Sequence, residues 1–282
     1  MSLSSALILL LQVGPNPAFG QIPDYSEEIQ NRPPRPSNVI GPDDAPQPPK
    51  YKSAWLKECL ELVESDPARA HVKAQVRATS TTGESRVLAR HCLGLAATKL
   101  ELWDDAIAAF EAAREETPPN DARFRARLGT MAASAQLGKG DVNAALAFLA
   151  TAQQDAEVAQ SKDLQTIIAI EQSRALVAQG RLAEAEPFLL HAQKLRPGNA
   201  EAALLTATLY RRLDRLADAQ KHIEAAIALA PLDPSVGLEA GVIAVLGGRD
   251  DAARASWRSV IEIAPDTPYA QTAQGYLAQI AG

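Results

Sequence analysis

Aromatic residues make up only 5% of this chain of 282 residues, and cysteines number two. Few large rings and abundant alanine suit helices packed close together. There is no Cys-x-x-Cys. None of the four histidines, His71, His91, His191 and His222, stands with a Cys, Asp or Glu at metal-ligand spacing. No Gly-x-Ser-x-Gly elbow supports a nucleophile, and the Walker pattern is missing. Gly138-Lys139-Gly140 and Gly247-Gly248 fall instead at turns between helices, where glycine closes a helix. The carboxylate pairs Asp104-Asp105 and Asp250-Asp251 open helices and complement the helix dipole. An excess of positive charge is also lacking. The net charge of −6 argues against nucleic acid or an anionic membrane as partner. What is absent therefore leaves no catalytic residue, no cofactor and no metal to expect.

What is present is a period. Pro197, Pro231 and Pro265 stand 34 residues apart, and Pro118 ends an earlier unit. Twelve residues before each proline lies an alanine: Ala106, Ala185, Ala219 and Ala253. Gly180, Asp214 and Gly248 each precede the alanine of their unit by five residues and mark a chain bend. A fixed period of this length means a solenoid of helical hairpins. In units 166–199, 200–233 and 234–267 each half carries apolar residues at helical spacing. In the first of these they are Ile167, Ile170, Leu176 and Val177, then Leu182, Leu189 and Leu195. Small residues stand where helices must approach: Ser173, Ala207 and Gly241 in the first helices, and the repeated alanine in the second. Leu189, Ile223 and Trp257, four places after that alanine, fill the adjoining gap. The proline ends each hairpin because it has no N–H to extend a helix and restricts the residue before it. Pro187, inside the second helix of its unit, reads either as a tolerated proline near the helix start or as a mild kink.

This register resembles the tetratricopeptide repeat family. Residues 87–120 carry Leu93-Gly94, Ala106, Phe110, Ala113 and Pro118 at the family's offsets. Residues 126–159 carry Ala133, Gly140, Ala145, Leu149 and Ala152, with Glu157 in place of the proline. Residues 121–125 and 160–165 are insertions, read as a longer turn and an extended helix end. The resemblance implies an all-α, right-handed solenoid of five repeats (87–120, 126–159, 166–199, 200–233, 234–267). An irregular hairpin over 53–86 precedes them, with Asp66-Pro67 as a helix start. A capping helix within 268–282 follows, with Tyr269, Ala273, Tyr276, Leu277 and Ile280 inward.

Ahead of the hairpins, Ala6–Val13 is an apolar run of about eight residues, well short of the ~20 that span a bilayer. It suits the core of a secretory signal over residues 1–20, with Ala18-Phe19-Gly20 before a cleavage site. No Lys or Arg precedes it, so a bland apolar tail is the alternative. Residues 21–50 hold eight prolines. The 21–52 segment is therefore read as an extended linker, either a spacer or a tether with a docking peptide. Export to the periplasm is the expectation, and a cytoplasmic location the alternative.

Cys59 and Cys92 lie 33 residues apart, nearly one repeat, on first helices of adjacent hairpins. Such helices pack side by side, so in an oxidising compartment the two form a disulfide; otherwise they are two buried thiols.

In the family the first helices line a concave face. The register places Leu88, His91 and Leu95 there from repeat one, and Arg127, Thr130 and Ser134 from repeat two. Repeat three adds Ile170, Arg174 and Val177. Repeat four adds Leu204, Thr208, Arg211 and Arg212, and repeat five adds Leu238, Val242 and Val245. Where family members grip a C-terminal carboxylate with Lys and Asn, this chain has His91 with Leu95 and Thr130 with Ser134. The resemblance therefore implies a non-catalytic scaffold for an extended or helical peptide of some acidic character. The alternatives are docking on the convex side or an edge, and an accessory subunit of an envelope enzyme or export machine. Self-association stays open.

Overall fold

The computed structural model describes residues 53–280, so the signal and linker expectations lie outside the described residues. Among these residues there are thirteen α-helices and no strand. They are α1 (Ala54–Ser65), α2 (Pro67–Ser80), α3 (Gly83–Lys99), α4 (Trp103–Glu116), α5 (Ala122–Lys139), α6 (Val142–Val158), α7 (Lys162–Ala178), α8 (Leu182–Leu195), α9 (Ala200–Arg212), α10 (Leu216–Leu229), α11 (Pro234–Leu246), α12 (Asp250–Ile263) and α13 (Pro268–Gln279). The chain divides into two compact units, one ending at Ala175 and the other starting at Leu176. The third repeat of the sequence register, 166–199, straddles that division.

Helix starts follow capping chemistry. The side chains of Ser53, Asp66, Asp141, Asn199, Asp233 and Thr267 accept a backbone N–H of the first turn. Pro67, Pro234 and Pro268 occupy the opening turns, where a missing N–H costs nothing. The two insertions become helix. After a single 3-10 turn at Pro119–Asp121, α5 begins at Ala122, and α7 begins at Lys162.

Five hairpin turns share one conformation. Gly140, Gly180 and Gly248 have φ of 90°, 74° and 73°, and Glu101 and Asp214 have 57° and 59°. All five stand five residues before the buried alanine of their second helix. A left-handed residue is what turns the chain between the two helices, and glycine takes it without the Cβ penalty.

In the N-terminal unit α2 packs on α1 and α3, α4 on α3 and α5, and α6 on α5, with α1 also against α3. Phe110 of α4 is the central knob. A Cβ placed on Gly94 of α3 would meet its ring at 2.5 Å. In the C-terminal unit α9 packs with α8 and α10, α11 with α10 and α12, and α13 caps both α12 and α11. Trp257 is wholly buried there, and its indole N–H donates to the Leu238 carbonyl at 3.2 Å. Its ring lies so close over Gly241 that any Cβ would overlap it.

Gly241→Ala is therefore expected to destabilise despite a propensity gain of about 1 kcal/mol. Overpacking of this kind costs about 1–3 kcal/mol, and the indole is held by its hydrogen bond. A lower urea midpoint of tryptophan fluorescence checks it; an unchanged or higher midpoint would show that the ring yields freely.

Three details differ from the sequence expectation. Tyr269 is exposed and Ala270 takes its place inward, because the buried stripe of α13 runs Ala270, Ala273, Tyr276. Ile167 is exposed, because the earlier start of α7 turns Leu164 and Ile168 inward. Pro187 lies in the second turn of α8, beyond the positions where its missing N–H is free of cost. It and Ala183, whose carbonyl loses that bond, are both exposed, so water can satisfy the oxygen.

Candidate protein-binding face

Helix packing sorts the sixteen expected face residues. In the N-terminal unit Leu88 and Ile170 are buried, while Arg127, Ser134 and Arg174 are exposed and His91, Leu95 and Thr130 lie between. In the C-terminal unit Leu204, Arg211, Leu238 and Val242 are buried, Arg212 is exposed, and Val177, Thr208 and Val245 are intermediate. The six buried side chains support the first helices from within and are not open to a partner. Arg211 precedes the exposed Arg212 by a single residue, a rotation of about 100° on the helix that turns it into the seam between helices.

Arg211 is the clearest correction. The sequence register makes it a face cation, yet its side chain is 1% exposed and Glu239 of α11 is 0% exposed. Two hydrogen bonds join them, Nε to Oε1 at 2.6 Å and Nη2 to Oε2 at 2.9 Å. Thr208 also bonds Glu239. Burial raises the Glu239 carboxyl above its usual range, and the Arg211 guanidinium pulls it back. Sequence reasoning missed Glu239. The available signal was that it is the single charge in the apolar helix Pro234–Leu246.

Other cations are also consumed inside the fold. Arg86 and Arg90 of α3 both grip Glu116 of α4, at 2.6 and 2.8 Å. Arg114 of α4 and Arg125 of α5 share Asp155 of α6, at 2.6 and 3.2 Å. Arg174 pairs with Glu171 on its own helix at 2.6 Å. Among the described residues, Arg127 and Arg212 carry no ion pair of this kind.

His91 sits beside Arg127. Its ring meets Phe124 of α5 edge-on, 5.5 Å between centroids at 89°. Burial, and then the Arg127 charge, hold its pKa down to about 4, so the imidazole is neutral near pH 7. Both ring nitrogens are buried without a hydrogen-bond partner among the described residues. Thr130 and Ser134, the neighbouring hydroxyls, donate back to carbonyls of their own helix, Ala126 at 2.9 Å and Thr130 at 3.1 Å.

Next to His91 in α3, Cys92 meets Cys59 of α1, the sulfurs 2.01 Å apart and the Cα atoms 6.3 Å apart. Both are fully buried among Val63, Ala70, Ala74, Leu93 and Ala96. Among the described residues no group of three His, Cys, Asp or Glu is placed to hold a metal ion, and no helix is long and apolar enough to cross a membrane.

A family model described as tetratricopeptide repeat matches residues 170–234 and 204–268. Among solved structures, PilW, a widely conserved type IV pilus biogenesis factor, superposes with TM-score 0.61 at 18% identity, covering 78% of this chain and 96% of PilW. PilF of Pseudomonas aeruginosa gives 0.61 at 14%, covering 79% and 96%. A thermophilic tetratricopeptide-repeat protein of Thermus thermophilus gives 0.52 at 25% identity, covering 68% and 99%. A comparison with curated proteins finds no match. With its 34-residue register, its hairpins of close-packed helices and these likenesses, the chain carries tetratricopeptide repeats over residues 170–268 and has an all-α solenoid fold.

Proposed function

We infer that the protein is a non-catalytic scaffold that holds a protein or peptide segment against its first helices, within the cell envelope. The observation that carries the reading is the contrast among arginines. Arg86, Arg90, Arg114, Arg125 and Arg211 are spent on pairs between helices, whereas Arg127 and Arg212 stand exposed on first helices. Charges that stabilise no internal contact are available to a partner, and in each unit an exposed cation on a first helix can steer and orient it. The envelope location is supported by the buried Cys59–Cys92 pair, whose bond persists only where the surroundings are oxidising. The apolar run Ala6–Val13 with small residues at Ala18 and Gly20 agrees with it.

The test is site-specific photo-crosslinking in the native cell. A crosslinker at Ser134 or Arg212, on first helices, is expected to trap a discrete protein. The same group at Glu111 or Lys221, exposed on second helices, is expected to trap none. Adducts from the second helices alone, or from no position, would overturn the reading.

A further inference from the structure

We propose that the face formed by α3 and α5 in the N-terminal unit recognises an extended segment carrying Asp or Glu side chains at alternate positions, with Arg123 and Arg127 taking the carboxylates and His91 a main-chain peptide group. This rests on the scaffold reading and names the partner's chemistry at one part of it.

The charge pattern of α5 is the first ground. Its sequence contains no acidic residue, and the carboxylate at its N-terminus is that of the N-cap, Asp121. Instead Arg123 and Arg125 open the helix, where positive charge is disfavoured. Arg125 is offset by Asp155 and by the carbonyls of Arg114 and Thr117. Among the described residues Arg123 and Arg127 have no such partner, and they lie four residues apart on one side of the helix. Arg123 and Arg127 are thereby left for an anionic partner.

Spacing is the second ground. Four residues along an α-helix advance about 6 Å. Alternate residues of an extended chain point the same way and stand about 6.7 Å apart. Two carboxylates at alternate positions therefore match the two guanidiniums, and each can be held by paired N–H donors. A single terminal carboxylate would satisfy one guanidinium and leave the other. The hydroxyls of Thr130 and Ser134, turned back to their own helix, add no free donor.

His91 is the third ground. A neutral imidazole offers one N–H and one lone pair, and a peptide group offers the matching C=O and N–H. Both nitrogens lack a partner among the described residues, and buried polar groups without partners are uncommon and costly. Phe124 fixes one edge of the ring. Arg127 is exposed, so a carboxylate can draw it aside and bring the segment's backbone to the imidazole.

The probe is an acetylated, amidated peptide of alternating Glu and Leu, twelve residues long, compared by fluorescence anisotropy with its Gln–Leu counterpart. The full chain is expected to bind the Glu peptide at least tenfold more tightly at low salt. Arg123→Gln with Arg127→Gln is expected to abolish the difference, with an unchanged circular dichroism spectrum. A Gln–Leu peptide ending in a free carboxylate separates the two anion sources and is expected to bind no better than its amide. Side-chain nitrogen resonances of His91 are expected to move on adding the Glu peptide, and not the Gln peptide. Equal affinity for the two amidated peptides, binding of neither, discrimination surviving the double substitution, tighter binding of the free terminus, or His91 resonances that ignore the peptide would each overturn the proposal. First-helix crosslinks in the cell alongside any of these results would retain the scaffold and discard this ligand.

Discussion

Glu239→Ala is expected to lower stability by about 3–5 kcal/mol, the usual consequence of removing one partner from a buried ion pair. Arg211 would be left charged at 1% side-chain exposure, with the two bonds it makes to Glu239 lost. Its desolvation, already incurred on folding, would no longer be offset. The loss should appear as faster amide exchange in α9, α11 and α13, since Arg211 joins α9 to α11 and the cap packs on α11. The decisive control replaces both residues with apolar ones of similar volume, Arg211→Met with Glu239→Leu. That double variant is expected to be near the parent or above it, because removing both charges also removes both desolvation penalties. A single variant as stable as the parent would show that water or a rearranged neighbour rescues Arg211. A double variant as unstable as the single would show that the pair contributes net stabilisation and not merely mutual neutralisation.

Breaking the link between Cys59 and Cys92 is expected to cost about 3–4 kcal/mol, from the loop-closure entropy of a chain segment of that length. The separation is 33 residues and the segment holds all of α2. Cys59→Ala with Cys92→Ala is the cleaner variant, because serine would bury hydroxyls among Val63, Ala70 and Ala74. The effect should be local. Repeat arrays exchange stability mainly between neighbours, so α1 and α2 are expected to gain protease sensitivity and fast amide exchange while α9–α13 are unchanged. Identical exchange with and without reductant would show that apolar packing alone secures the hairpin. Mass measurement of the unreduced chain decides independently whether the bond forms, because oxidation removes two hydrogens.

The sequence exposes the fold through restrictions that repeat. Ala106, Ala185, Ala219 and Ala253 are all fully buried, and only a residue that small lets the hairpin's helices close. Trp257 and Phe110 are legible for the complementary reason, since each fills the space left by a glycine on the facing helix. Helix starts at Ala122 and Lys162 were less legible, because inserted residues have no repeat position to anchor them. The face residues were legible only by position along the helix. One helical step separates the exposed Arg212 from the buried Arg211, and a register good to a residue or so cannot divide such a pair. What divides them is Glu239 on another helix, which periodicity alone does not locate. His91 illustrates the reverse. Its place on the first helix follows from the register, but its unpartnered nitrogens depend on Phe124 and on what α5 fails to provide.

The five left-handed turns have a consequence for how this architecture tolerates sequence drift. Glu101 and Asp214 occupy positions that glycine fills in the other three hairpins, with the same sign of φ. The hairpin is thus closed by a torsion angle rather than by a residue type, and the packed helices on either side enforce that angle on side chains that disfavour it. Each acidic joint holds a small reserve of stability that a glycine would release, so arrays of this kind can lose their most recognisable turn residue and keep their shape.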